Sequence, residues 1–401
     1  MAYRILVLAT HNTGKILERE CVSMADTLTS FIPEVESRRF MFEIIKSLRK
    51  TVDTLRLSGK PFVVNKEVAG CIRRWILGEL RSAYLEAHHF TIVNEKNVNP
   101  GLDALELALR DRHLRLCGWA VSAMVITDNK GIFAWRISDM DIFELQMRQD
   151  LIEVLESMPQ DKIGILILPL LKIIDWELLS KNGKVSFHYA KKDLMDGVSY
   201  FLQSENRFIV LSMLYHIECD KAMYRGNAFL RESLDMLKKN NDDRIASAAG
   251  KILEYGRSET EKNSRAFELL ERVLFFKKCF LFHNISAEKL LRVVELSHSV
   301  SYGKNDIVVA AGDVLDQIYI VRKGGLRIET DGKIVGSIKS GDTFGEAGLF
   351  SKKSTVSNAI AEEATVLYLL KRADIKRLIR EVPDIALNFL ESITTMLSSK
   401  K

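Results

Sequence analysis

One short run of this 401-residue chain concentrates residues that could recognise a ligand: Asp342-Thr-Phe-Gly-Glu-Ala-Gly-Leu-Phe350. Glu346 offers a carboxylate able to accept hydrogen bonds from a sugar diol. Gly345, beside Phe344, lets backbone approach a ligand closely, and free amides at the start of a helical turn can hold an anion. The same residues would also serve as a β-barrel corner that binds nothing, and residue types alone leave both readings open.

Such a run needs a rigid frame, and the residues around it supply one. Stretches 307–310, 317–321, 326–329 and 333–338 are short and rich in Val, Ile and Tyr. They are separated by Gly312-Asp313, Gly324-Gly325, Asp331-Gly332 and Gly341-Asp342. This spacing predicts a small antiparallel barrel or jelly roll. Nine of the 22 glycines fall between Gly303 and Gly348, so composition marks a separate domain. Helical periodicity frames it, at 285–296 before the strands and at 373–382 and 384–397 after them.

With KGGLRIE and IKSGDTFGEAGLF in place, this block resembles a cyclic nucleotide-binding domain. The resemblance implies a ligand, cAMP or cGMP, held at the Phe344-Gly345-Glu346 turn. Glu346 would then hold the ribose 2′-hydroxyl, while Gly345, Ala347 and Gly348 line the cyclic phosphate. The family's phosphate-binding arginine would fall at Thr355 or Val356. Here the run is Lys352-Lys353-Ser354-Thr355-Val356-Ser357, without arginine. Losing a charge-assisted phosphate contact typically costs roughly 1.5–3 kcal/mol. Lys352 or Lys353 would replace it only as a point charge, without the bidentate fork.

Upstream, helical periodicity dominates to about residue 260. Met41, Ile44, Ile45 and Leu48 share one face, as do Val68, Cys71, Ile72, Trp75 and Ile76. Further helices are expected at 102–109, 114–126, 139–157, 193–203, 208–218 and 228–238. A sub-pattern recurs at 109–115, 202–207 and 237–244: a helix end, a polar turn with an Arg, then a helix with small residues on one face. Repeated helix pairs of this kind form an α-solenoid, and the pattern resembles HEAT repeats. An irregular helical bundle is the alternative. Residues 264–282 carry a stripe of Phe267, Leu270, Val273, Leu274 and Cys279, and are read as the helix joining the two parts. The expected fold is therefore multidomain: an all-α HEAT-like solenoid (1–262), a connecting helix (263–282) and an α+β cyclic-nucleotide-binding-like domain (283–401). The junction resembles the soluble tails of bacterial proteins related to ATP/ADP antiporters, whose transporter-like part has no counterpart here.

Composition narrows the function classes. A net charge of +5 is mild and dispersed, with no clustered nucleic-acid footprint. Five scattered cysteines without a CxxC pair argue for a reducing compartment and against a zinc site. The longest apolar run, 163–171, is short and contains Pro169, so the expectation is a cytoplasmic protein. His88-His89 lacks ligand spacing and is read as a helix-end pair on a solvated turn. Trp75, Trp119, Trp135 and Trp176 are read as core before surface anchors. The opening, Leu-Ala-Thr-His-Asn12-Thr-Gly-Lys15, resembles that of house-cleaning nucleoside-triphosphate pyrophosphatases, which would make Asn12 and Lys15 phosphate contacts. The other motifs of that family are absent, as are the common hydrolase, kinase and metalloprotease signatures. Only one helix is expected after Pro383, without room for a helix-turn-helix, so no DNA partner is expected. The expectation is a non-enzymatic regulatory or scaffold protein with a protein partner on the solenoid. Peripheral association with a membrane protein and a homodimer through the C-terminal helix are also compatible. The alternatives are a non-binding structural adaptor and the pyrophosphatase-like enzyme.

Overall fold

The computed structural model describes residues 18–34, 38–57, 63–95, 99–128, 145–157, 161–172, 175–190, 192–220, 224, 226–254, 265–283, 285–346, 354–381, 385–386 and 390. Two compact units result: Met1–Lys96 with Leu109–Gly197, and Asn97–Ala108 with Val198–Lys401.

The first unit is helical. It holds α1 (Glu18–Phe31), α2 (Arg38–Leu57), α3 (Lys66–Asn94), most of α4 (Pro100–Thr127), α5 (Leu145–Glu156), α6 (Lys162–Leu171) and α7 (Trp176–Phe187). The stripes expected on α2 and α3 are where the core sits: Ile44, Ile45, Leu48, Ile72 and Ile76 are fully buried. Asn65 opens α3 by accepting the Val68 amide at 2.8 Å, and Asp161 does the same for α6 through Ile163.

Two expectations fail here for one physical reason. The polar run 109–115 was expected to be a turn, yet α4 passes through it unbroken from Pro100 to Thr127. Two of its polar side chains meet Glu86 of α3, which takes Arg112 at 2.9 Å and His113 Nε2 at 3.1 Å. His88-His89 is likewise no helix-end pair on a solvated turn. Both lie within α3 and are buried, and His88 Nδ1 meets the Ser180 hydroxyl of α7 at 3.0 Å. Burial pushes the His89 pKa down to about 4. Trp176 is buried; Trp75 and Trp119 are half-buried against Phe42; Trp135 lies outside the described residues.

In the second unit, the chain continues through the latter part of α8 (Leu194–Leu202), α9 (Arg207–Cys219), α10 (Ala228–Leu237), α11 (Asp243–Glu254), α12 (Arg265–Phe276) and α13 (Ala287–Leu296). Asn99 caps the start of α4 and bonds His216 Nδ1 of α9 at 2.8 Å. The polar turns expected before Arg207 and Arg244 are present. Arg244 grips Asp242 with Nε at 3.0 Å and Nη2 at 2.8 Å, and its third nitrogen reaches Glu295 of α13. The joining segment is shorter than expected: α12 ends at Phe276, and after a turn Phe280–Phe282 forms a 3-10 helix.

Eight strands follow among the described residues: β1 (His298–Tyr302), β2 (Ile307–Val309), β3 (Gln317–Lys323), β4 (Gly325–Thr330), β5 (Lys333–Lys339), β6 (Thr343–Phe344), β7 (Asn358–Ala361) and β8 (Thr365–Lys371). They form two antiparallel sheets, ordered β1-β8-β3-β6 and β2-β7-β4-β5. Their common core contains Val309, Tyr319, Val321, Leu326, Ala359, Ala361, Leu367 and Leu369, drawn from both sheets. Helix α14 (Arg372–Glu381) follows β8 directly. The barrel expected from the glycine-punctuated strands is thus observed.

Candidate functional site

Strand β6 and the residues after it carry the turn singled out in the sequence. Phe344 pairs with Tyr319 of β3 and stacks on its ring at 4.5 Å between centroids and 11° between planes. The stack fixes where the chain leaves the strand. At Gly345 the backbone has φ +96°, and a Cβ there would lie 2.6 Å from the Gln317 carbonyl oxygen. Both facts require glycine. Upstream, Asp342 accepts the Lys339 amide at 2.8 Å, and its own carbonyl accepts the Val321 amide at 3.0 Å.

Glu346 comes next and is 3% exposed. The Thr343 hydroxyl donates to its Oε1. Burial pushes its pKa up, and the Thr343 hydrogen bond opposes that shift. A buried carboxylate served by one hydroxyl and its own backbone amide can accept further donors, as a ligand's hydroxyl groups would provide.

Ala347, Gly348, Lys352 and Lys353 lie outside the described residues, as do Asn12 and Lys15. Thr355 is tied down by backbone: its amide donates to Asp313 at 2.8 Å, and its carbonyl accepts Gly312 at 2.7 Å. Val356, at the other position where the family resemblance implies arginine, is 78% exposed. Ser357 then turns toward the barrel and shares a 2.6 Å hydrogen bond with Thr330 of β4. Neither Thr330, Ser357 nor Thr343 was singled out from the sequence. The only local signal was Thr330 preceding the Asp331-Gly332 turn.

Behind the barrel, Tyr368 of β8 is held on several sides. Phe275 and Phe276 of α12 contact its ring at 5.9 and 5.5 Å between centroids. The Arg272 and Arg322 guanidiniums lie 5.0 and 5.6 Å from it. Among the described residues no group of three or more His, Cys, Asp or Glu is placed to hold a metal, and no helix is long and apolar enough to cross a membrane.

A family model described as "Cyclic nucleotide-binding domain" matches residues 299–382. Over 105 residues the chain is 27% identical to the cAMP-dependent protein kinase regulatory subunit of Candida albicans, covering 26% of this chain and 23% of that protein. It is 26% identical over 102 residues to the cGMP-dependent protein kinase 2 of Homo sapiens, covering 24% and 13%. The chain therefore spans less than a third of either relative. Among solved structures, the catabolite activator protein of Thermus thermophilus is similar at 25% identity and a TM-score of 0.29, covering 30% of this chain and 59% of that one. The sensor domain of the regulator DNR from Pseudomonas aeruginosa is similar at 21% identity and a TM-score of 0.31, covering 33% and 93%. The match at 299–382, on a glycine-punctuated antiparallel barrel with Glu346 at its turn, makes this segment a cyclic nucleotide-binding domain.

Proposed function

We propose that the chain is a regulatory protein in which the barrel senses a cyclic nucleotide, cAMP or cGMP, and passes its occupancy to the helices before it. The observation that carries this reading is Glu346, a carboxylate 3% exposed, held by Thr343 at a turn that only glycine can make. An ionised carboxylate with that burial is under-solvated, and a sugar hydroxyl would relieve it. Ligand selection at that turn follows from the carboxylate's need for donors.

The route outward runs through Tyr368, which joins β8 to Arg272, Phe275 and Phe276 of α12. A second tie links the helices to α13 through Arg244 and Glu295. The helical part acts as a HEAT-like platform for a protein partner. That reading is supported by the paired helices α8–α9 and α10–α11, each pair joined by a polar turn ahead of an Arg. On this reading the partner is a protein, and the resemblance to the tails of antiporter-related proteins is compatible with peripheral association with a membrane protein. No catalytic step is assigned to the chain.

Calorimetric titration of the full chain with cAMP, then with cGMP, tests the reading. Saturable heat from either supports it; no heat at about millimolar ligand, an affinity too weak for sensing, removes it.

A further inference from the structure

Strand β4 aims Leu326, Ile328 and Thr330 to one side, since alternate residues of a strand share a face. Leu326 is in the barrel core and Ile328 packs against it, so that side is the interior. The register against β7 sets Leu326 opposite Ala361 and Ile328 opposite Ala359. One step further along the same row, Thr330 meets Ser357, and their hydroxyls are bonded at 2.6 Å. The apolar row thus ends in two hydroxyl groups.

Thr330 has a second cross-strand neighbour. The Asp331-Gly332 turn has φ +50° and +74°, the two positive values that a type I′ hairpin requires. It pairs Thr330 directly with Lys333 of β5. Directly opposed residues present their side chains on one face, with Cβ atoms about 5 Å apart. Lys333 is exposed and has no ion-pair partner among the described residues. A lysine, flexible and rich in donors, is therefore set directly across from Thr330 at the end of the interior row. On the other side of Ser357, Val356 occupies a position where the family resemblance implies a cation.

We propose that Lys333, with Thr330 and Ser357, forms an anion subsite at the end of this interior row and pairs with the cyclic phosphate. The charge then comes from the β4–β5 hairpin, not from the segment after the Gly345-Glu346 turn. The proposal rests on the nucleotide reading above. Two hydroxyls that now bond each other can each turn an O–H toward a phosphate oxygen, while the lysine supplies the opposite charge. A lysine on an exposed hairpin makes this contact salt-sensitive.

The test is calorimetric titration of the full chain and its Lys333→Ala and Lys333→Arg variants with cAMP and cGMP, at low and high salt. Unfolding midpoints are recorded in parallel. Lys333→Ala is expected to weaken binding roughly 10- to 100-fold, as for one lost charge-assisted contact. It should also flatten the salt dependence and leave the midpoint unchanged; Lys333→Arg should restore most of the affinity. If the parent binds and Lys333→Ala binds equally well with the same salt dependence, the assignment of Lys333 is overturned and the nucleotide reading stands. If the parent binds neither nucleotide, both fall.

Discussion

The Arg272 guanidinium lies 5.0 Å from the ring centroid of Tyr368, while its Nη1 donates to the Ser297 carbonyl at 3.2 Å. One side chain of α12 therefore holds both strand β8 and the junction between α13 and β1. Tyr368 is 2% exposed, with Arg322 on its ring as well. Tyr368→Phe keeps the aromatic face and should cost less than about 1 kcal/mol. Tyr368→Leu loses the cation contacts and should cost about 2 kcal/mol. Urea unfolding of the two variants checks the order; equal costs would mean the ring face contributes nothing.

Gly101 is packed against α9 more tightly than any side chain allows. A Cβ built there would lie 2.1 Å from the His216 backbone nitrogen. Gly101→Ala must push α4 and α9 apart, and we expect a loss of about 3 kcal/mol or more, seen as a large drop in Tm. Gly336 is the control. A Cβ there meets nothing, so Gly336→Ala should leave Tm nearly unchanged.

His216 gives a pH dependence. It bonds Asn99 and Tyr224, and burial pushes its pKa down to about 4. A folded pKa below the unfolded value of about 6.5 means that the unfolded chain binds the proton more tightly. The stability from neutral His216 is therefore complete above about pH 6.5 and is lost as pH falls toward 4, to the extent of about 3 kcal/mol at most. Buried His89 in the first unit titrates in the same direction. His216→Gln, which keeps the polar contacts without the proton, should flatten the decline in urea midpoint between pH 7 and 4.

Glu346 has the opposite sign. Burial raises its pKa, so its folded form holds the proton more tightly than the unfolded chain does. Stability from protonated Glu346 is complete below the usual carboxylate range and is lost as pH rises through the raised value. Glu346→Gln should therefore leave the unliganded protein at least as stable at pH 7, as differential scanning calorimetry would show. A marked loss of stability would mean the carboxylate is held by more than Thr343 and its own amide.

The barrel was legible because its signals are local. Glycine at Gly324, Gly332, Gly341 and Gly345 marks backbone with positive φ, and the strands between alternate or run apolar. Strand β8 was not picked out, since its run of buried residues has no period to distinguish it from a helix. Helix α4 was misread at 109–115 because what keeps it helical is Glu86, on another helix. His88 was misread because its partner, Ser180, is distant in sequence. Among the candidate residues, Phe344, Gly345 and Glu346 were named from their own chemistry. Thr330, Ser357 and Lys333 were not, because only strand register brings them together.

The central claim is that Glu346 receives a nucleotide hydroxyl. It is tested most directly by titrating the full chain and its Glu346→Gln variant with cAMP and cGMP under identical conditions. The account predicts saturable binding by the parent and a loss of roughly 10-fold or more in the variant, whose fold and stability are retained. Equal affinity of parent and variant, or binding by neither, would contradict it.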